Sequence, residues 1–144
     1  MKTLVIIPTY NEIDSLPRAL DHVRNAAPEA HILVVDDGSP DGTGRLADAR
    51  AQVDDRVHVL HRTEKNGLGP AYLAGFSWGL DAAYELICEM DADGSHRAED
   101  LALLIQRAEM ADEPDLVIGS RWVSGGATRG WDVRRVALSR GGNL

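Results

Sequence analysis

The chain has 144 residues, 44% of them apolar, with 15 Lys plus Arg against 23 Asp plus Glu and a net charge of −8. That length suits one α/β domain burying about 70% of its unfolded surface, so no disulfide or structural metal is required, and the single Cys88 can form no internal disulfide. Residues 1–120 carry 10 basic and 22 acidic side chains, which excludes nucleic acid as their partner; residues 121–144 carry 5 and 1, which reads as an anion-binding segment or a solvated basic tail.

Met1-Lys2-Thr3 leads directly into Leu4–Ile7, too short an opening for a signal peptide, and no run approaches the roughly 18–20 apolar residues of a membrane span. With one cysteine, inside the apolar stretch Leu86–Met90, the expected setting is a reducing, intracellular one, with peripheral membrane association open. Leu4–Ile7 is the first of five short runs, with Ile32–Val35, Val57–Leu60, Leu86–Met90 and Leu116–Ile118. All read as strands buried on both faces. Helical patterns alternate with them: Leu16, Leu20 and Val23 mark one face, Pro70 opens a helix through about Tyr84, and Leu101, Leu104, Ile105 and Ala108 mark another. The expected fold is one α/β domain over residues 1–144, a doubly wound, mostly parallel sheet with helices on both faces.

Ligands of such sheets bind beyond the carboxyl ends of the strands, so the chemistry is sought there. After the first run comes Pro8-Thr9-Tyr10-Asn11-Glu12, in which Tyr10 reads as a base-stacking ring or a half-buried core ring. After the second comes Asp36-Asp37-Gly38-Ser39-Pro40-Asp41-Gly42-Thr43, a turn into a helix. Capping accounts for Asp41; it does not account for Asp37, which is suited to accept hydrogen bonds from base N–H groups or ribose hydroxyls. Gly67-Leu68-Gly69-Pro70-Ala71 lacks the third glycine of a dinucleotide fingerprint and the lysine of a P-loop, and reads as turn chemistry beside Lys65.

Asp91-Ala92-Asp93 puts two carboxylates on one face of an extended segment, hard ligands for Mg²⁺ or Mn²⁺, with helix capping as the alternative. His58, His61 and His96 are too scattered for a zinc site and read as structural or surface residues. Gly119-Ser120-Arg121 follows the fifth run, and Arg129, Arg134, Arg135 and Arg140 complete a basic segment. Arg134 and Arg135 are expected on a short helix near a membrane surface, with Trp122 or Trp131 at the interface.

Ile6 to Glu12, Val34 to Thr43, Asn66 to Tyr72, Met90 to His96 and Gly119 to Val123, in this order and spacing, resemble glycosyltransferase family 2, and within it the dolichol-phosphate or polyprenol-phosphate mannosyltransferases. The resemblance implies a GT-A nucleotide-diphospho-sugar fold and transfer of mannose from GDP-mannose to a polyprenyl monophosphate, with inversion and with Mg²⁺ or Mn²⁺. It implies that Pro8, Tyr10, Glu12, Asp37 and Ala92 contact the nucleotide, that Asp91 and Asp93 hold the metal, and that Arg121 and Arg135 hold phosphate groups of donor and acceptor. Ser95 stands where some relatives have Gln. Family members continue beyond Leu144 with elements that complete the acceptor side, so the expectation is a domain lacking those elements. The implied setting is cytoplasmic, peripheral at the inner membrane face, with polyprenyl phosphate at the membrane surface and a membrane-protein partner. Three other readings stand beside this one: a UDP-glucose-dependent polyprenyl-phosphate glucosyltransferase, a nucleotide-binding module without transfer activity, and a phosphoacceptor receiver domain. The last is disfavoured because its acids follow the first and third strands, whereas here they follow the second and fourth.

Overall fold

A computed structural model describes residues 1–63, 65–112, 114–128 and 130–141. Four parallel strands alternate with helices: β1 (Thr3–Thr9), α1 (Leu16–Ala26), β2 (His31–Asp36), α2 (Thr43–Val53), β3 (Val57–His61), α3 (Leu68–Asp81), β4 (Leu86–Glu89), α4 (Ala98–Ala108) and α5 (Val133–Gly141). The strand order is β3-β2-β1-β4. The chain therefore builds outward from β1 to β3 and then crosses back to the other side of β1. That reversal brings the ends of β1, β2 and β4 together at one rim, the place where such sheets bind ligands.

The sheet separates two apolar layers because successive strand residues point to opposite faces. Val5, Ile7, Ile32 and Val34 meet Leu16, Leu20 and Val23 of α1, Ala47 of α2 and Leu101 of α4. Leu4, Ile6, Leu33 and Val35 meet Ala71 and Tyr72 of α3 and Tyr84 beyond its end. Helix α3 sits close to the strands. A Cβ at Gly75 would lie 2.8 Å from Ile6 Cγ2, and one at Gly79 would lie 2.9 Å from both Leu4 and Ile87, so glycine sets the helix-to-sheet distance.

Four of the five expected strands form, each end within two residues of its expected bound; Leu116–Ile118 does not. Leu116 and Ile118 are 75% and 73% exposed and pair with no strand among the described residues. An apolar run becomes a strand only where a ladder partner satisfies its backbone, and here the free side of β4 is not used for that. The helix expected from Pro70 begins at Leu68 and stops at Asp81, where Ala83 turns into the left-handed region at φ 55° and the Tyr84 N–H returns to the Gly79 carbonyl. Cys88 is partly buried, and burial pushes its thiol up to about 11, as expected for a packed rather than a reactive cysteine. The short helix expected around Arg134 and Arg135 is α5.

Candidate nucleotide and metal site

The two adjacent acids after β2 have separate fates. Asp36 is 2% exposed and fully engaged: Oδ1 accepts from the hydroxyls of Thr9 at 2.8 Å and Ser39 at 2.6 Å, and Oδ2 accepts from the Ser39 N–H at 3.0 Å. Asp36 is therefore structural, tying the end of β1 to the loop after β2. Asp37 is 6% exposed, and the charge that faces it is Arg62, with Nη1 3.1 Å from Oδ1. That pair is too poorly aligned to be a hydrogen bond, and both atoms are buried without a hydrogen-bond partner. Burial pushes the Asp37 carboxyl up from its ordinary range and Arg62 only partly offsets this. A buried carboxylate beside a guanidinium with unused donors is a group set for a ligand carrying both N–H donors and a carbonyl acceptor.

The loop after β1 is bonded to the loop after β2. Asn11 adopts φ 58°, a region asparagine tolerates, and donates its N–H to Ser39 Oγ at 2.9 Å. The Glu12 N–H goes to Thr43 Oγ1 at 3.0 Å, and the Glu12 carboxylate accepts from the Ser15 hydroxyl. Asp41 is not the cap itself, a position Gly42 takes at φ 95°, but stands just before it and bonds the helix start, accepting from the N–H of Thr43 at 2.9 Å and of Ile13 at 3.2 Å. Tyr10 is half-buried at the rim with the Lys65 ammonium 4.0 Å from its ring centroid. Pro8 is the half-buried penultimate residue of β1, opposite Val35.

Beyond β4, Ala92 and Asp93 lie in a turn rather than in the extended segment expected, because the chain bends here toward α4; Ala92 is buried and Asp93 exposed. Asp91 accepts the Tyr72 hydroxyl on Oδ1 at 2.9 Å, and its own N–H donates to His96 Nδ1 at 3.1 Å. His96 Nε2 lies 3.9 Å from Asp91 Oδ2. Asp93 Oδ1 accepts the Ser95 N–H at 2.8 Å, and hydrogen bonding from Ser95 holds the Asp93 carboxyl below its ordinary range. Each carboxylate keeps an oxygen free of these bonds. No cluster of three or more His, Cys, Asp or Glu side chains able to hold a metal occurs among the described residues. Two carboxylates suit an ion that keeps several waters and takes further oxygens from a substrate phosphate.

Arg121 and Arg135 come together, not at the carboxylates but on one indole: their guanidinium carbons lie 4.8 and 4.2 Å from the Trp131 ring centroid. Arg140 lies 4.9 Å from the Trp122 centroid, and Trp122 Nε1 donates to Ser139 Oγ at 3.3 Å. Arg129 lies outside the described residues. Three site residues escaped the sequence reading. Arg62 directly follows β3, where the search beyond each strand end would have found it. Tyr72 and His96 end the family-like segments Asn66 to Tyr72 and Met90 to His96 without being singled out for the site, and His96 reads as structural or surface; only the folded chain puts both on Asp91.

Residues 4–142 match the model of the family described as glycosyl transferase family 2. The chain belongs to that family. As a family 2 member it is 58% identical over 143 residues to a polyprenol monophosphomannose synthase of Mycolicibacterium smegmatis, covering 99% of this chain and 53% of that protein. It is 56% identical over 144 residues to an undecaprenyl-phosphate mannosyltransferase of Micrococcus luteus, covering all of this chain and 58% of that one. The chain thus spans about half the length of the curated relatives it matches. Among solved structures it superposes on the mannosyltransferase PcManGT of Pyrobaculum calidifontis, determined with GDP-Man and Mn²⁺, with a TM-score of 0.64 and 26% identity over 76% of this chain and 33% of that one. The family 2 chain therefore has the GT-A architecture expected of it, on a parallel four-stranded sheet.

Proposed function

We propose that the whole protein transfers mannose from GDP-mannose to a polyprenyl monophosphate, inverting the anomeric centre. The observation that carries this reading is the match of the entire chain, at 58% and 56% identity, to two proteins named for mannosyl transfer to polyprenyl phosphates. Asp37 would accept from guanine N–H groups, with Arg62 supplying the donor it lacks a target for; Pro8, Tyr10, Glu12 and Ala92 would line the nucleoside. Asp91 and Asp93 would hold Mg²⁺ or Mn²⁺, which would neutralise the leaving diphosphate. Their free oxygens at one strand end fit such an ion, and the PcManGT structure contains Mn²⁺ with GDP-Man.

The acceptor needs little activation. A phosphate monoester with a second pKa of about 6 is already ionised at neutral pH, so a phosphate oxygen attacks without a dedicated base. The task of the side chains is electrostatic, with Arg121 and Arg135 holding phosphate groups close to one another. The site would work at the cytoplasmic membrane face as a peripheral protein, although no described helix is long and apolar enough to cross a membrane. The test is transfer of labelled mannose from GDP-mannose to polyprenyl phosphate by the whole protein, with Mn²⁺ or with EDTA. Product formed with Mn²⁺ and lost with EDTA is expected. Transfer from UDP-glucose in place of GDP-mannose would reassign the donor, and GDP binding without transfer would leave a nucleotide-binding module.

A further inference from the structure

We propose that Tyr72 is a positioning residue for Asp91: its hydroxyl holds one carboxylate oxygen so that the other is presented to the divalent cation. This rests on the functional reading above. The side chain of Tyr72 is 9% exposed and packs in the layer of Leu4, Ile6, Leu33, Val35, Ala71 and Tyr84, with its ring 6.4 Å from that of Phe76. A phenylalanine would fill that layer equally well, so packing gives no reason for the oxygen. Among the described residues the hydroxyl makes one hydrogen bond, at 2.9 Å to Asp91 Oδ1.

Asp91 is held from a second direction, because its N–H is bonded to His96 Nδ1 on the following turn. Asp93, by contrast, is bonded among the described residues from its own loop, through Ser95. The Tyr72 bond thus ties the Asp91 carboxylate itself to α3, while Met90 and Ala92 on either side of it pack in the core of the opposite layer. Its reach is set by α3, whose close seat on Ile6, Leu4 and Ile87 through Gly75 and Gly79 fixes how far the ring projects. Groups that orient a ligating carboxylate commonly govern metal affinity by 10–100-fold on removal.

The experiment compares the whole protein with Tyr72→Phe, Asp91→Asn and the double variant, by calorimetric titration of Mn²⁺ in the presence of GDP and by thermal unfolding without metal. Tyr72→Phe should keep its unfolding midpoint and bind Mn²⁺ about 10–100-fold more weakly, with the Mn²⁺ requirement of transfer shifting in step. In the Asp91→Asn background the same change should have no further effect. Unchanged Mn²⁺ affinity in Tyr72→Phe, or independent losses that add in the double variant, overturns the assignment while leaving the functional reading intact. Failure of the unaltered protein to bind Mn²⁺ with GDP overturns both. If Tyr72→Phe fails to fold, the oxygen serves packing and the assignment falls.

Discussion

Residues 3–108 and residues 114–141 are built on different principles. The first region encloses two apolar layers and buries Leu4, Ile6, Ile7, Leu16 and Leu33 completely, and its polar rim is stitched by bonds such as Thr9 to Asp36. In the second, no described residue is buried; Leu116, Val133 and Leu138 are 75–85% exposed, and the side chains are arranged by arginine on tryptophan. The acidic region thus has a framework that fixes its carboxylates before any ligand arrives. The basic region has contacts worth about 0.5–1 kcal/mol each at exposed sites, enough to bias the arginines and too little to lock them. The proposed nucleotide and metal groups are preorganised; the proposed phosphate groups are not.

The largest effect that would sharpen this contrast is on catalysis. Asp93→Ala in the whole protein should abolish Mn²⁺-dependent mannosyl transfer while leaving the unfolding midpoint almost unmoved, since Asp93 is exposed. Undiminished turnover would remove its metal role. Next in size is Ile6→Ala, which empties a fully buried site under Gly75 and should cost about 2–5 kcal/mol in urea unfolding. Leu138→Ala, on the basic side, should stay within about 0.5 kcal/mol. Equal costs at the two positions would break the comparison.

A third effect lies in acceptor use. Arg135→Ala should lower kcat/KM for polyprenyl phosphate by roughly one to two decades, the loss of a charge-assisted contact of about 1.5–3 kcal/mol, and leave GDP affinity nearly intact. Lysine there should rescue only in part, lacking the planar fork. An equal loss of GDP binding would place Arg135 on the donor diphosphate instead.

The smallest effect is a pH dependence of the first region. His31 Nδ1 and His58 Nε2 lie 3.0 Å apart, with the Tyr84 hydroxyl 2.9 Å from His31 Nδ1. Burial first, then neighbouring positive charge (Arg56 beside His31, and His31 beside His58), lowers both pKa values below 6.5. Both imidazoles are therefore neutral in the folded state at pH values where the unfolded chain already binds protons, and stability should fall as pH drops below about 6.5. Urea midpoints at pH 7.5 and 5.5 measure this. His58→Gln should shrink the difference, and an unchanged difference would assign it to other groups.

The sheet was readable in the sequence because parallel strands buried on both faces are apolar throughout, and Leu4–Ile7 and Ile32–Val35 can be little else. The same rule misled at Leu116–Ile118, since three apolar residues say nothing about whether a neighbouring backbone is there to pair with them. At the site, Asp37, Asp91 and Asp93 stood out because acids at the ends of apolar runs need a reason. Tyr72 did not, because it lies 19 residues before Asp91, on a helix face whose other members are core. What identifies its hydroxyl is a neighbour that only the folded chain supplies.

The bond between Thr9 and Asp36 has a consequence for how β1 finds β2. Along Leu4–Ile7 and Ile32–Val35 every residue is a bulky aliphatic, so sliding one strand past the other by two residues would keep each side chain on its proper face and nearly the same hydrophobic area in contact. Greasiness cannot tell these alignments apart. Thr9 opposite Asp36 can, because in a slipped pairing the buried carboxylate would lose the Thr9 hydroxyl and keep only the Ser39 donors of its own loop. One polar pair at the strand ends thus acts as a stop that rejects misaligned assembly, and it is the same stop that sets Asp37 facing the rim.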